Sequence, residues 1–142
     1  EMRSLRERLW CRTPIGGCAR YERDYYHQVE RTNIVDVPGN PWVICTLWQA
    51  QYQIARASTL EELRESMALL EWSVARANES GALAEQFHPY SGDPISVCPL
   101  TWSHATFVIA VMQYLEKFET LRRARRGADA AIAPPAVAPS AR

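Results

Sequence analysis

The sequence predicts an all-α fold, and three kinds of observation support this class. Apolar residues recur at helical spacing in four stretches. Two of the later stretches begin with residues that favour helix starts. Pro or Gly follows the ends of two stretches, as is common where helices stop. The four stretches are 2–10, 41–57, 59–78 and 100–126.

Composition indicates a folded domain and excludes several classes of partner. The chain has 142 residues, of which 47% are hydrophobic, with five Trp and six Tyr. This is enough for one domain with a modest core and too apolar for disorder over most of its length. The 16 basic and 16 acidic residues balance, which argues against a nucleic-acid partner. No apolar run is long enough for a membrane span.

The first stretch, 2–10, predicts a short amphipathic helix. Met2, Leu5 and Leu9 lie on one face and charged residues on the other. Pro14 follows its end. Because the chain begins with Glu and already in a helical pattern, we expect that further sequence precedes it.

The next stretch, 18–37, mixes aromatic and charged residues without clear periodicity and is interpreted mostly as loop. Asn40 is a good N-cap and Pro41 a good first helical residue. These two residues predict a second helix that runs to about Ala57. Both of its flanks are apolar, so it should be well buried.

A capping box opens the third predicted helix. Thr59 is followed three residues later by Glu62, the spacing in which each side chain can bind the other residue's backbone N–H. The helix is expected to end near Asn78, before Ser80 and Gly81. Its apolar stripe comprises Leu60, Leu63, Met67, Leu70 and Val74.

The last predicted helix runs from about Leu100 to Arg126. The side chains expected to face inward are Phe107, Val108, Val111, Tyr114, Leu115 and Phe118. The remaining residues, 127–142, are rich in Ala and Pro and are expected to be disordered. The chain therefore divides into one helical domain, 1–126, and a tail, 127–142.

The loop 81–99 is the most informative part of the chain. It is long for a connection between helices, and long loops in compact domains usually carry function. Glu85 and Gln86 place a carboxylate and an amide there, and Trp102 opens the helix that follows. A carboxylate beside an aromatic ring has the ingredients of a sugar site.

Other candidate ligand contacts lie outside this loop. Arg20 offers a planar fork of donors for hydroxyls or a carboxylate, with Asp24 four residues on. Trp42 stands at a helix start, and aromatic faces suit the apolar face of a pyranose. Local sequence alone favours structural alternatives: a solvated carboxylate for Glu85, an Arg20–Asp24 ion pair, and core packing for the tryptophans.

No metal or cofactor site is predicted. The three His and four Cys are not at metal-ligand spacing, and no CxxC occurs. Neither a phosphate-binding loop nor a nucleophile elbow is present. The cysteine pattern fits a reducing compartment weakly, so the expected location is cytoplasmic.

Four stretches, taken in order, resemble the C-terminal part of the glucoamylase family of glycoside hydrolases (family 15), which also contains glucodextranases and bacterial trehalases. They are GGCARYERDYY at 16–26, GNPWVICTLW at 39–48, the pair Glu85-Gln86, and SVCPLTWSHA at 96–105. Their order and spacing agree with the family from about residue 15 to about residue 118.

The resemblance implies a fold and a site. The fold is the C-terminal segment of an (α/α)6 barrel, with about four of its helices in this chain. The reaction is hydrolysis with inversion at the anomeric carbon, without a cofactor. Glu85 matches the family's general base and Ser96 a hydroxyl that orients that base. The positions that match substrate-binding residues or their supports are Arg20, Asp24, Trp42 and Trp102.

The expected function is therefore that of a fragment of an inverting hydrolase of α-linked glucosides, with glucoamylase-, glucodextranase- and trehalase-like activities (on maltodextrin, isomaltose-type glucosides or trehalose) left open. Its partners would be the oligosaccharide substrate and the rest of the barrel, from upstream sequence. No stretch matches the surroundings of the family's general acid, so the segment alone is expected to be inactive. The alternative is a non-catalytic helical protein that binds carbohydrate or regulates a partner on the same scaffold.

Overall fold

The computed structural model describes residues 2–132, which form five helices and one small sheet. The helices are α1 Met2–Leu9, α2 Val43–Arg56, α3 Leu60–Glu65, α4 Met67–Val74 and α5 Thr101–Ile132. The strands are β1 Cys18–Ala19, β2 Pro41–Trp42, β3 Gln86–Phe87 and β4 Pro94–Ile95. They pair antiparallel in the order β1-β2-β3-β4. The helix-rich class is confirmed, and the sheet is an addition that periodicity did not predict, because two-residue strands are too short to show alternation.

Helix α2 lies at the centre of the molecule and packs against α4 and α5. As predicted, both of its flanks are apolar, and Val43, Leu47 and Ala50 are fully buried. The core around them also contains Leu69, Leu70, Trp72, Leu83, Ala84, Phe87 and Ala110. Each large side chain buried here contributes about 1.5–3 kcal/mol through removal of apolar surface from water.

Phe87 connects the sheet to this core. It is 1% exposed, and its ring meets Trp72 edge-on at 5.8 Å between centroids. Because Phe87 belongs to β3, its burial holds β3 and the residues just before it against the helices.

The predicted start of α2 is wrong by a few residues. Asn40 does not cap the helix, and Pro41 is in β2 rather than in the first helical turn. The Asn40 amide instead donates to the carbonyl of His27 at 2.8 Å and to Gln86 Oε1 at 2.9 Å. The Val43 N–H donates to the Glu85 carbonyl at 3.2 Å. These distant partners outweigh the local capping preference, because a buried amide without a partner is costly.

The helix predicted over 59–78 is divided at Ser66 into α3 and α4, and α4 ends at Val74. Ser66 is buried, and its hydroxyl donates to the Leu63 carbonyl at 2.6 Å. A serine hydroxyl that binds a nearby carbonyl competes with the helical ladder. The capping of Thr59 is confirmed, since its Oγ1 accepts from the Glu62 N–H at 3.1 Å.

Helix α5 begins within one residue of its predicted start and extends through Ile132. The sequence predicted disorder for 127–132, where the structure continues the helix, and the Ala-rich sequence that follows Gly127 is a good helix former. Residues 133–142 of the predicted tail lie outside the described part of the chain. Across residues 2–132, no helix combines the length and apolar character needed to cross a bilayer.

The inward face of α5 is only partly as predicted. Phe107, Val111 and Tyr114 pack on the core, and Phe118 packs on a second cluster around Leu63. Val108 and Leu115, predicted to face inward, are more than half exposed together with several apolar neighbours. The exposed apolar side chains of this half of the helix are Trp102, Val108, Ile109, Met112 and Leu115. We call these five residues the α5 stripe.

Replacing Thr59 should destabilise the protein through loss of its cap. Thr59→Ala removes the acceptor for the Glu62 N–H and should lower the free energy of unfolding by about 1 kcal/mol, measured by urea denaturation. Thr120→Ala is the matched control, because the Thr120 hydroxyl binds the Glu116 carbonyl within an exposed part of α5. Equal effects of the two substitutions would contradict the assignment of Thr59 as a cap.

Candidate active site

Glu85 lies directly before β3, and the sheet fixes its backbone from both sides. The Glu85 N–H donates to the Val97 carbonyl at 2.9 Å, and its carbonyl accepts from the Val43 N–H. The next residue, Gln86, pairs with Trp42 on one side and Ile95 on the other. Ala84 and Gln86 are buried, whereas Glu85 between them is only partly buried. A carboxylate is thus presented at a surface by a rigid backbone.

The two carboxylate oxygens of Glu85 have different surroundings. Oε2 accepts a hydrogen bond of 2.5 Å from Ser96 Oγ and one of 3.4 Å from Gln86 Nε2. Among the described residues, no hydrogen bond reaches Oε1. The structure therefore brings together Glu85 and Ser96, the pair that the sequence singled out, and leaves one oxygen able to accept a proton.

Ser96 has a left-handed backbone, with φ of 66°. A non-glycine residue in this region costs free energy and persists where surrounding contacts hold it. In this case the backbone around Val97 is bound to Glu85, and the Ser96 hydroxyl points at the carboxylate.

Asn40 orients the amide beside the carboxylate, a role that the sequence analysis missed. Gln86 is fully buried, and its Oε1 accepts from Asn40 Nδ2 at 2.9 Å. This bond fixes which end of the amide is oxygen, so Nε2 faces Glu85. Asn40 Oδ1 in turn accepts from the Val29 N–H at 3.2 Å. The sequence analysis did not predict this role, because an Asn-Pro pair is also a common helix start.

Arg20 forms a second group close by. Its Nε and Nη2 each donate to the Asp24 carboxylate at 2.9 Å, so the ion-pair alternative is present in the structure. The hydrogen bond to Asp24 raises the pKa of Arg20, and the guanidinium stays charged at every accessible pH. Among the described residues, Nη1 has no hydrogen-bond partner. The Arg20 side chain therefore forms the ion pair through Nε and Nη2 and keeps Nη1 as a donor for another group.

Asp24 and Trp42 lie behind Arg20. Asp24 is 1% exposed and Trp42 2% exposed, and the guanidinium carbon lies 4.3 Å from the centroid of the indole ring. Burial to this degree favours support of Arg20 over direct contact with a ligand. Their predicted part in substrate binding thus stays a prediction.

Tyr26 links the two groups and was not singled out from sequence. Its hydroxyl lies 3.3 Å from Ser96 Oγ, and its ring lies 5.6 Å from the Arg20 guanidinium carbon and 6.1 Å from the Trp42 ring. Sequence offered no signal for it, because the neighbouring Tyr25 is of the same residue type and both lie in a stretch without periodicity.

Trp102 belongs to α5, the helix that follows the site loop. Its ring is exposed on the first turn of α5 and meets Trp48 edge-on at 5.9 Å between centroids. Within residues 2–132, no hydrogen bond or ring contact joins Trp102 to Glu85 or Arg20. The start of α5 is nevertheless tied to the site, because Ser103 Oγ donates to the Ala84 carbonyl at 2.9 Å.

The cluster lies at the surface of the protein, where Arg20 and Tyr26 are exposed. A cavity of about 500 Å³ lies between α2 and α5, lined by Gln51, Ile54, Ala55, Gln113, Glu116, Lys117 and Thr120. Its lining contains none of the candidate residues.

The cysteines and histidines form no candidate metal centre. The described part of the chain contains no group of three or more side chains placed to hold a metal ion. Burial raises the pKa of Cys11 and Cys45 to about 12 and that of Cys18 to about 11, so these thiols stay neutral. His104 Nε2 accepts from the Leu83 N–H at 2.9 Å and so helps to place the segment before Glu85.

Comparison with known proteins gives the family. The sequence model described as "Glycosyl hydrolases family 15" matches residues 7–112, a range that contains Arg20, Glu85 and Ser96. The chain belongs to glycosyl hydrolase family 15. This confirms the family resemblance on which the site residues were chosen.

Two similar proteins add the fold. An uncharacterized glycosyl hydrolase of Methanocaldococcus jannaschii is 34% identical over 108 residues, covering 70% of this chain and 16% of that protein. The crystal structure of a bacterial glucoamylase complexed with acarbose is similar with a TM-score of 0.64 and 24% identity, over 82% of this chain and 17% of the other. The chain is therefore part of an (α/α)6 barrel, and it spans about a sixth of the length of either relative.

Glu30 ties two loops of this site region together and should make stability depend on pH. Hydrogen bonds from Thr32, Asn33 and Tyr90 hold the pKa of Glu30 at about 2, below its ordinary 4.5. The Tyr90 bond, 2.9 Å long, joins the loop before β2 to the loop between β3 and β4.

Because the folded-state pKa is depressed, the stabilisation should be complete above about pH 4.5 and lost as the pH falls through about 2. Glu30→Gln should reduce this loss, measured as the urea midpoint at pH values from 5 to 2. Glu65→Gln, at an exposed position on α3, is the control. A Glu30→Gln curve with the parent's pH dependence would refute the role of this carboxylate.

Proposed function

We propose that this chain supplies the general base of an inverting glycoside hydrolase that cleaves α-linked glucosides. The observation that carries the proposal is the asymmetry of Glu85: one oxygen is held by Ser96 and Gln86, and the other accepts no hydrogen bond among the described residues. A general base needs an oriented carboxylate with a free lone pair. Family membership and the carbohydrate bound to the similar glucoamylase support this class of substrate.

In the proposed reaction, Glu85 Oε1 accepts a proton from water as the water oxygen bonds to the anomeric carbon. The bond from that carbon to the leaving oxygen breaks on the opposite face, and an acid protonates the leaving oxygen. The new hydroxyl therefore has inverted configuration. The two carboxyl groups of such a pair stand roughly 6.5–9.5 Å apart, which leaves room for the water.

Arg20 would bind the hydroxyls of the substrate. Its Nη1 is free to donate, while Asp24 holds the other side of the guanidinium and Trp42 lies against its face. A planar fork fixed in this way donates in a set direction and loses little conformational entropy on binding. Arg20 thus provides a rigid wall for the sugar ring near the water.

The remaining walls and the general acid would come from the rest of the barrel. The α5 stripe supports this, because Val108, Met112 and Leu115 are spaced by four and three along one helix face and all five stripe residues are about half exposed. The opposite face of the same half-helix packs on the core. A helix that is apolar all round is normally buried, so further helices of the barrel are the expected cover.

The isolated 142-residue chain should hydrolyse glucosides poorly. Without an acid the leaving oxygen departs unprotonated, and each acid or base commonly contributes about 10²–10⁴-fold in rate. The test is glucose release from maltose, maltodextrin and trehalose, with a complete family 15 enzyme assayed in parallel. Comparable turnover by the chain alone would show that it needs no second carboxylate from elsewhere.

In an assembly that contains the whole barrel, Glu85→Gln should lower kcat by about 10²–10⁴-fold and leave KM nearly unchanged. Glutamine preserves size and polarity but cannot take the proton. Glu79→Gln, at an exposed carboxylate just before the site loop, is the control and should keep full activity. Full hydrolysis by Glu85→Gln would remove this residue from the mechanism, and sugar binding without any hydrolysis by the parent would favour the non-catalytic alternative.

A further inference from the structure

Tyr26 occupies a position that the proposed reaction does not yet use. Its hydroxyl lies 3.3 Å from Ser96 Oγ, and Ser96 Oγ lies 2.5 Å from Glu85 Oε2. A serine hydroxyl has a single hydrogen, which Ser96 gives to the carboxylate. The hydrogen between Tyr26 and Ser96 must therefore come from the tyrosine, so the bonds run in one direction from Tyr26 through Ser96 to Glu85.

Contacts of the Tyr26 backbone and ring help to hold its hydroxyl in place. The Tyr26 N–H donates to Asp24 Oδ1 at 3.1 Å. Its ring lies near the Arg20 guanidinium and meets the His27 ring edge-on at 4.5 Å between centroids. The tyrosine is thus fixed at its backbone and its ring, although it remains partly open to solvent.

We propose that Tyr26 is a positioning residue for Glu85, acting through the Ser96 hydroxyl. The proposal rests on the function proposed above. A donor to Ser96 Oγ polarises that hydroxyl and strengthens its bond to the carboxylate. It also removes the rotational freedom of the hydroxyl. Because Arg20 lies against the same ring, the base and the substrate-binding guanidinium keep a fixed separation.

The first experiment tests the contact in the 142-residue chain and needs no turnover. Tyr26→Phe removes only the hydroxyl, and Ser96→Ala removes its partner. If the two groups are bonded, the double variant should lower the unfolding temperature by less than the sum of the single variants. Tyr25→Phe is the matched control, since the Tyr25 hydroxyl has no hydrogen-bond partner among the described residues and Tyr25 is 76% exposed against 45% for Tyr26, and it should add independently to Ser96→Ala. Additive effects for Tyr26 would overturn the proposal whether or not the protein hydrolyses sugar.

The second experiment tests positioning in an assembly with measurable hydrolysis. Tyr26→Phe should lower kcat about 3–10-fold, a small part of what a full base contributes, with KM changed less than about twofold. The low-pH limb of kcat should move to higher pH, because loss of the donor weakens a bond that favours the charged carboxylate. Tyr25→Phe should change none of these. A higher KM with an unchanged kcat and an unmoved limb would mean that Tyr26 only touches substrate.

Glu85→Gln in the same series separates the two proposals. If Glu85→Gln hydrolyses like the parent, the proposed function is wrong. If Glu85→Gln is inactive and Tyr26→Phe has the parent's pH profile, Glu85 keeps its role and only the positioning by Tyr26 is refuted.

Discussion

The pairing of β2 with β3 is the contact on which the site depends. Trp42, whose ring supports Arg20, lies opposite Gln86. This register therefore brings Arg20 and its support close to Glu85, the residue before Gln86. The Glu85 carbonyl completes the pairing by accepting from Val43 at the start of α2. Phe87, on the same short strand, is buried against Trp72. The polar site thus takes its rigidity from the apolar core.

The two carboxylates of the site differ in how they are bonded. The buried one, Asp24, is paired with a cation inside the protein, whereas the partly exposed one, Glu85, keeps an oxygen without a hydrogen bond among the described residues. The Asp24 carboxylate is buried, which is costly unless a partner with good geometry is present. Arg20 provides that partner through two parallel bonds of 2.9 Å. Glu85 differs because only one of its oxygens is bound, by neutral donors. A neutral donor orients a carboxylate without removing its capacity to take a proton.

The α5 stripe is consistent with a chain that forms one part of a larger barrel. Apolar side chains on the outer face of the first half of α5 give way to charged ones further along, such as Glu116, Glu119 and Arg123. The match to the family ends at residue 112, near this change. The half of the helix inside the family match therefore carries four of the five exposed side chains of the stripe.

Much of the fold was predictable because its signals are local. Helical spacing located the four stretches in which the five helices begin, and the capping at Thr59 formed as expected, since such contacts join residues three or four apart. The division at Ser66 was missed, because a serine hydroxyl binds a nearby carbonyl in some helices and points to solvent in others. The burial of Val108 and Leu115 was misjudged because α5 is apolar on two faces, and periodicity does not say which face meets the core.

The sequence by itself determined the helical stretches and the family, and it singled out Glu85, Ser96 and Arg20 as candidate site residues. Only the tertiary structure decided which atoms meet: Tyr26 reaches Ser96 across 70 positions of the chain, and Asn40 reaches Gln86 across 46. A hydrogen bond requires its two atoms to lie within about 3 Å in a set direction. No pattern along the chain encodes that distance, because it results from the packing of the sheet on the helices.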